Sequence, residues 1–175
     1  MSKKLSIIVI LLLCGTLSVA IFNLLSPPKI AFVHVQEVYN EFAYKKELEA
    51  KYDAIKNSRK RNLDSLEIQI NALATNIQNS EFNKKENIQQ YQYLAADYKN
   101  KRHTFTADNE TIYQQYTAQI WSQLNAYIEE FGERYNYDMI YGADGSGSVM
   151  HGADEYNKTD ELNEFVNERY RGGIK

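Results

Sequence analysis

The chain has 175 residues, 43% hydrophobic and 25% charged, with a net charge of −3. One ordinary domain fits, or one domain plus an anchor; 17 apolar residues fall within the first 28 and 14 of the chain's residues are tyrosines, which argues against one large core. Two prolines and eight glycines favour long helices over an all-β fold, and the slightly acidic balance lacks the positive stripe of a nucleic-acid binder, so no nucleic-acid partner is expected.

Lys3 and Lys4 precede an apolar run from Leu5 to Leu25, the pattern of a targeting or membrane segment. Its 21 residues suffice to cross a bilayer as a helix, and the run continues past the small residues Ser18, Val19 and Ala20. An uncleaved anchor in the inner membrane through residues 5–25 is therefore preferred to cleavage near Ala20, which would leave a soluble periplasmic chain. Either way, positive charge stays inside and everything after Pro27-Pro28 is exported. Cys14, the one cysteine, lies inside the run, so the exported part folds without a disulfide. The non-small Leu13 before Cys14 argues against a lipoprotein signal.

Residues 29–35, Lys-Ile-Ala-Phe-Val-His-Val, form a short run rich in β-formers that reads as a strand buried on both faces. A helical stripe follows: Leu48, Tyr52, Ile55, Leu63, Leu66, Ile70, Leu73 and Ile77 recur at steps of three and four, interrupted by Arg59 and Asn62. Asn83, with Glu86 three residues on, predicts an N-cap with its capping box. The second stripe runs Ile88, Tyr91, Ala95, Tyr98, Arg102, Phe105, Asn109, Ile112, Tyr116, Ile120, Leu124, Tyr127 and Phe131, a coiled-coil seam. The short break between the stripes predicts an antiparallel hairpin. A helix of about 50 residues would be roughly 75 Å long, so the hairpin projects from whatever holds its base. Residues 45–110 carry +2 and residues 111–175 carry −6, giving a mildly basic arm on an acidic base.

Beyond Gly132, the run 137–141 is strand-like, 142–148 reads as a flexible turn, and 149–151 as a return strand, together a β-hairpin. Thr159 opens a last helix with Leu162, Phe165 and Val166 on one face. The expected fold is α+β, mainly α: a long antiparallel helical hairpin, or coiled-coil arm, on a small β body that oligomerises, behind an N-terminal transmembrane or signal helix. The divisions are a signal anchor or signal peptide (1–28), first strand and root of the arm (29–44), coiled-coil hairpin arm (45–110), and arm return, β-hairpin and C-terminal helix (111–175).

This order of elements resembles the Skp (OmpH-like) periplasmic chaperones, most closely over residues 29–42, Lys-Ile-Ala-Phe-Val-His-Val-Gln-Glu-Val-Tyr-Asn-Glu-Phe, and residues 137–144, Tyr-Asp-Met-Ile-Tyr-Gly-Ala-Asp. The resemblance implies a homotrimer whose small β body carries three helical arms around a cavity. It also implies an ATP-independent holdase that shields unfolded outer-membrane or exported proteins.

Physical reasoning adds where such a protein would make its contacts. Strands with open edges can pair between copies and bury Ile30, Phe32, Val33, Met139 and Ile140 together. Polar Arg59, Arg102 and Asn109 on seam positions predict a soft joint in mid-arm. Dispersed side chains off the seam are the candidates for client binding: Ile68, Phe82, Tyr93, Leu94 and Tyr113, with Lys60, Arg61, Lys84 and Lys85, and further Lys56, Lys99 and Lys101. For any one of them taken alone a solvated helix surface with scattered aromatics is the preferred explanation, and it is as a set that they point to binding. Trp121 beside the seam reads as packing at the root of the arm.

No catalytic constellation emerges. His34, His103 and His151 lie on separate elements without metal-ligand spacing, the 142–148 turn lacks the lysine of a phosphate loop, Ser146 and Ser148 have no evident base, and Glu129, Glu130 and Glu133 share one helix as solvated charges. The expectation is a non-enzyme with no cofactor and no metal. The rival to a holdase is a membrane-anchored coiled-coil scaffold subunit of an envelope or secretion assembly, favoured by a retained anchor.

Overall fold

A computed structural model of the protein describes residues 15–16, 27–79, 82–145 and 147–172. Among them, no helix is long and apolar enough to cross a membrane, and the Leu5–Leu25 run lies outside them except for residues 15 and 16. In chain order the elements are β1 (Ile30–Val33), α1 (Val35–Glu41), α2 (Ala43–Asn79), α3 (Lys84–Arg134), β2 (Met139–Gly142), a short 3-10 turn (Asp154–Tyr156) and α4 (Thr159–Tyr170).

The arm is the antiparallel pair α2 and α3. Tyr44 reaches Gln119 near the base (3.4 Å), Tyr52 meets the Tyr113 ring further out (5.8 Å between centroids), and Arg59 meets Asn109 beyond that. The partner numbers fall as the first numbers rise, which is the signature of a hairpin. Burial grades along it: Leu48, Ile120 and Leu124 are buried at the base, Leu66 further out, whereas Ile88 and Tyr91 near the tip are exposed. Asn62, which interrupts the first stripe in sequence, lies off the seam and exposed, while Arg59 lies in it. Arg102 is also exposed, its guanidinium 5.9 Å from the Tyr98 ring, so it does not divide the seam.

The tip corrects the expected capping box. α3 does begin directly after Asn83, but Asn83 has φ +53 and its side chain makes no cap bond. A chain that must reverse within a few residues needs a left-handed position, and asparagine is among the few non-glycine residues that take one.

The base of the arm is clasped by a parallel sheet of two strands. Ile30 stands against Met139, Ala31 against Ile140, Phe32 against Tyr141 and Val33 against Gly142. The clasp extends at both ends: Lys29 N donates to Asp138 Oδ2 (2.6 Å), Asp138 N to Lys29 O (2.8 Å), and Ala143 N to Val33 O (2.7 Å). The expected β-hairpin is therefore corrected. β2 pairs with β1 and not with residues 149–151, which form no strand. After β2 the chain leaves the sheet through Gly145 and Gly147, both with positive φ, and returns across the face of β1. There a Cβ on Gly152 would lie 2.4 Å from Phe32 Cε1, so only glycine lets the backbone pass so close to the ring. Residue 157 then bridges to Phe32, and Lys158 N donates to Phe32 O (2.9 Å).

β1 is buried on one face, not two. Ala31 and Val33 point into the body, with Val33 only 1% exposed, while Ile30 is exposed and Phe32 half-buried. The helices pack on a single side of this small sheet, so alternation replaces continuous burial. Below the sheet, Val33, Val38, Phe42, Leu124, Phe131, Leu162, Phe165 and Val166 form the core. Phe42, extended between α1 and α2, is at its centre, with the Tyr44, Tyr127 and Tyr170 rings edge-on at 5.9–6.1 Å. Asn167 of α4 accepts the otherwise unmatched Ala43 N–H at the start of α2 (2.7 Å). Arg169 pairs with Glu130 (2.9 Å), fastening α4 to α3.

Candidate functional site

Three surfaces offer chemistry. The first is the outer arm, where the predicted client-binding residues fall. Ile68 and Tyr93 each stand two residues from a seam position and are strongly exposed, Tyr93 at 71%; Phe82 at the tip is 79% exposed. Lys60, Arg61 and Lys85 are exposed, whereas Leu94 and Lys84 are half-buried. These residues do not converge. They are spread from the root of the arm, where Tyr113 lies, to its tip. Lys101 is held by Asp97 one turn earlier (2.8 Å), which offsets its charge.

The second surface is a cleft of about 380 Å³ at the arm root. Leu48 and Ile120 form its floor, the rings of Tyr52, Tyr113 and Tyr116 its walls, and Glu49 and Asp53 its rim. Of the predicted client-binding residues only Tyr113 belongs here. Helical spacing explains the assembly: Leu48, Tyr52 and Glu49, Asp53 are i, i+4 pairs on adjoining stripes of α2, facing the Tyr113–Tyr116–Ile120 stripe of α3. The surrounding lysines are oriented by the same groups. Lys45 Nζ lies 2.9 Å from Glu49 and 5.2 Å from the Tyr39 ring centroid, and Tyr39 stacks on Trp121 at 4.6 Å. Lys56 Nζ stands 5.9 Å from the Tyr52 ring. Burial pushes the Tyr39 phenol above its ordinary pKa, with Lys45 acting against the rise.

The third surface is on the body. A cleft of about 680 Å³ opens on the exposed side of β1 and β2 and is bordered by Ile30, Phe32, Tyr141, Val149, Met150 and Tyr156. Met150 is 89% exposed, and Met139, Tyr141 and Ile30 are exposed beside it. Of the residues expected to meet other copies, Ile30 and Met139 are open at this face and Phe32 partly open, while Val33 is covered by its own chain and Ile140, on the opposite face of β2, packs against the core. Sequence reasoning missed Tyr141, Met150 and Tyr156. Alternation along β2 carries a signal for Tyr141, since it shares a face with Met139; Met150 was hidden by the expected return strand, and Tyr156, in the 3-10 turn, has no periodic pattern to mark it.

Among the described residues, no three His, Cys, Asp or Glu side chains stand together as a metal site. The features that remain are a projecting helical arm with exposed apolar side chains along it and a clasped body with an apolar face. The family model for outer membrane protein (OmpH-like) matches residues 29–164, and the chain belongs to this family, that of the Skp chaperones. A solved structure of an OmpH-like protein from Caulobacter crescentus, described as a candidate outer membrane chaperone, has the same fold. The TM-score is 0.64 at 14% identity, covering 82% of this chain and 86% of the other. No curated protein matches the chain. The family is periplasmic.

Proposed function

We propose that the protein is an ATP-independent periplasmic holdase that shields unfolded outer-membrane or exported proteins between helical arms. The observation that carries this reading is the distribution of exposed apolar side chains: Ile68, Phe82, Tyr93 and Tyr113 recur along a projecting arm among charged residues and do not converge on one place. Many weak contacts spread over such a surface suit clients with no fixed shape. Membership of the OmpH-like family supports the same reading.

The holdase works as a homotrimer, with the apolar face around Ile30, Met139, Tyr141 and Met150 as the surface on which copies meet; the number three is carried over from the Skp resemblance. Contiguous apolar exposure of this kind is what subunit contact covers. Residues 5–25 tether the arms to the inner membrane, on the strength of the apolar run and its flanking lysines; cleavage near Ala20 would instead release them.

The test is dilution of an unfolded outer-membrane barrel protein into buffer containing the purified protein, followed by turbidity, with light scattering for subunit number and N-terminal sequencing for the tether. Suppression at a few-fold molar excess is expected. Undiminished turbidity would favour the second reading, a membrane-anchored coiled-coil scaffold of an envelope or secretion assembly, which the same apolar run supports.

A further inference from the structure

The arm root holds a site unlike the rest of the arm. Its walls are tyrosine faces, Tyr52 and Tyr113 with centroids 5.8 Å apart, and its rim carries two carboxylates, Glu49 and Asp53, with no basic residue among the side chains that line it. Elsewhere along the arm carboxylates are interspersed with lysines and arginines, as at Asp97 and Lys101. The face of a tyrosine ring attracts a cation, and a carboxylate close by adds a charge-assisted hydrogen bond. The chain's own lysines display this chemistry on both sides of the cleft: Lys45 is held between Glu49 and the Tyr39 ring, and Lys56 stands over Tyr52.

We propose that this cleft binds basic side chains, lysine or arginine, flanked by apolar or aromatic residues in an unfolded client. The proposal rests on the holdase reading and deepens it. The arm then sorts an extended polypeptide by charge: acidic stretches settle along Lys60, Arg61 and Lys85, and basic ones enter the root. An apolar floor of Leu48 takes the methylene stem of the incoming side chain.

The test uses the whole protein as isolated from its host and two dye-labelled, tryptophan-free peptides of equal length, one alternating tyrosine with lysine, the other tyrosine with glutamate. Anisotropy titration gives affinity. Trp121, the single tryptophan, is a second readout because it stacks on the Tyr39 ring that Lys45 and Glu49 adjoin. We expect root occupancy by the lysine peptide, weakened about threefold in D53N and further in E49Q/D53N, with K60A/R61A unchanged or tighter. D53N disturbs no interaction of the Lys45–Glu49 pair, and circular dichroism reports whether each variant keeps its helices. Equal lysine-peptide affinity in wild type and D53N would overturn the proposal. So would a Trp121 signal that never responds. Turbidity on the same preparations separates the two readings: suppression without carboxylate-dependent lysine binding leaves the holdase and removes the root site. Carboxylate-dependent binding without suppression does the reverse.

Discussion

Arg59 of α2 donates a hydrogen bond to the side-chain oxygen of Asn109 on α3, joining the two helices of the arm at the middle of its seam. Asp108 stands 3.3 Å from the same guanidinium, and the Phe105 ring lies 5.4 Å from its centre. A polar pair in an apolar seam lowers stability relative to two leucines but fixes which residue faces which. Replacing Arg59 alone with leucine should cost about 1 kcal/mol, because Asn109 loses its partner while half-buried. The double variant R59L/N109L should equal or exceed wild type in urea midpoint. Hydrogen exchange decides whether this pair is also the soft joint expected from sequence: faster exchange confined to mid-arm supports the joint, and uniform protection along α2 and α3 removes it.

Phe42 and Tyr93 separate folding from binding. Phe42 is fully buried among three tyrosine rings, so Phe42→Ala should destabilise the protein by about 3–5 kcal/mol, read as a drop in denaturant midpoint. Tyr93→Ala removes a ring that is mostly in solvent and should stay within about 0.5 kcal/mol of wild type. On the holdase reading it should nevertheless retain client less well, and combining it with Ile68→Ala and Phe82→Ala should deepen the loss.

The apolar face of the body should govern assembly. Met139→Lys with Met150→Lys places two charges on exposed positions bordering or adjoining the cleft, without disturbing the chain's own core. Light scattering should show a shift to the monomer, and circular dichroism should show the helices kept. A Val33→Ala variant should behave oppositely, losing stability without a selective loss of assembly, because Val33 faces inward.

Tyr170 sets an alkaline limit. Its hydroxyl donates to the Glu47 carboxylate, and that bond, with a smaller contribution from burial, pushes the phenol up to about 12. The unfolded chain releases this proton above pH 10, its ordinary value, while the folded chain keeps it up to about 12; the unfolded state then binds fewer protons and stability falls across that window. Glu47 works in the other direction: hydrogen bonds from Lys51 first, and then Tyr170, hold it below its ordinary 4.5, so its contribution is present above that value and fades as pH falls through the depressed pKa. Tyr170→Phe keeps the ring contacts to Phe42 and Tyr44 and should flatten the decline between pH 10 and 12 relative to wild type, measured by thermal midpoints. Both groups lie near the surface, so the difference is small and shrinks in salt.

What could be read in advance follows from how local each signal is. The two arm helices were legible because steps of three and four repeat over many turns, and β1 because its β-formers are confined to a few residues. The pairing of β2 was not, since alternation marks a strand without naming its neighbour, and the true partner lies 109 residues away at the Lys29–Asp138 bond. Asn83 marked the right boundary for the wrong reason, because a tight tip demands backbone conformation more than a side-chain cap. The root cleft is not legible in sequence because Tyr52 and Tyr116 read as seam positions and nothing along the chain marks Glu49 and Asp53; only the antiparallel register brings them to one place. The predicted client-binding residues were exposed for the most part, as expected of positions off the seam.

The parallel clasp also orders events in time. β1 emerges near the start of the chain, yet its hydrogen-bonding edge waits for β2, and every residue of both arm helices lies between them. Closing so long a loop is entropically costly and slow unless the intervening segment has already shortened itself, and the zippering of α2 onto α3 brings residues 43 and 134 together from within. The finger is therefore expected to form before the knot at its base is tied, and a growing chain keeps Val33 uncovered until β2 and α4 have followed the arm.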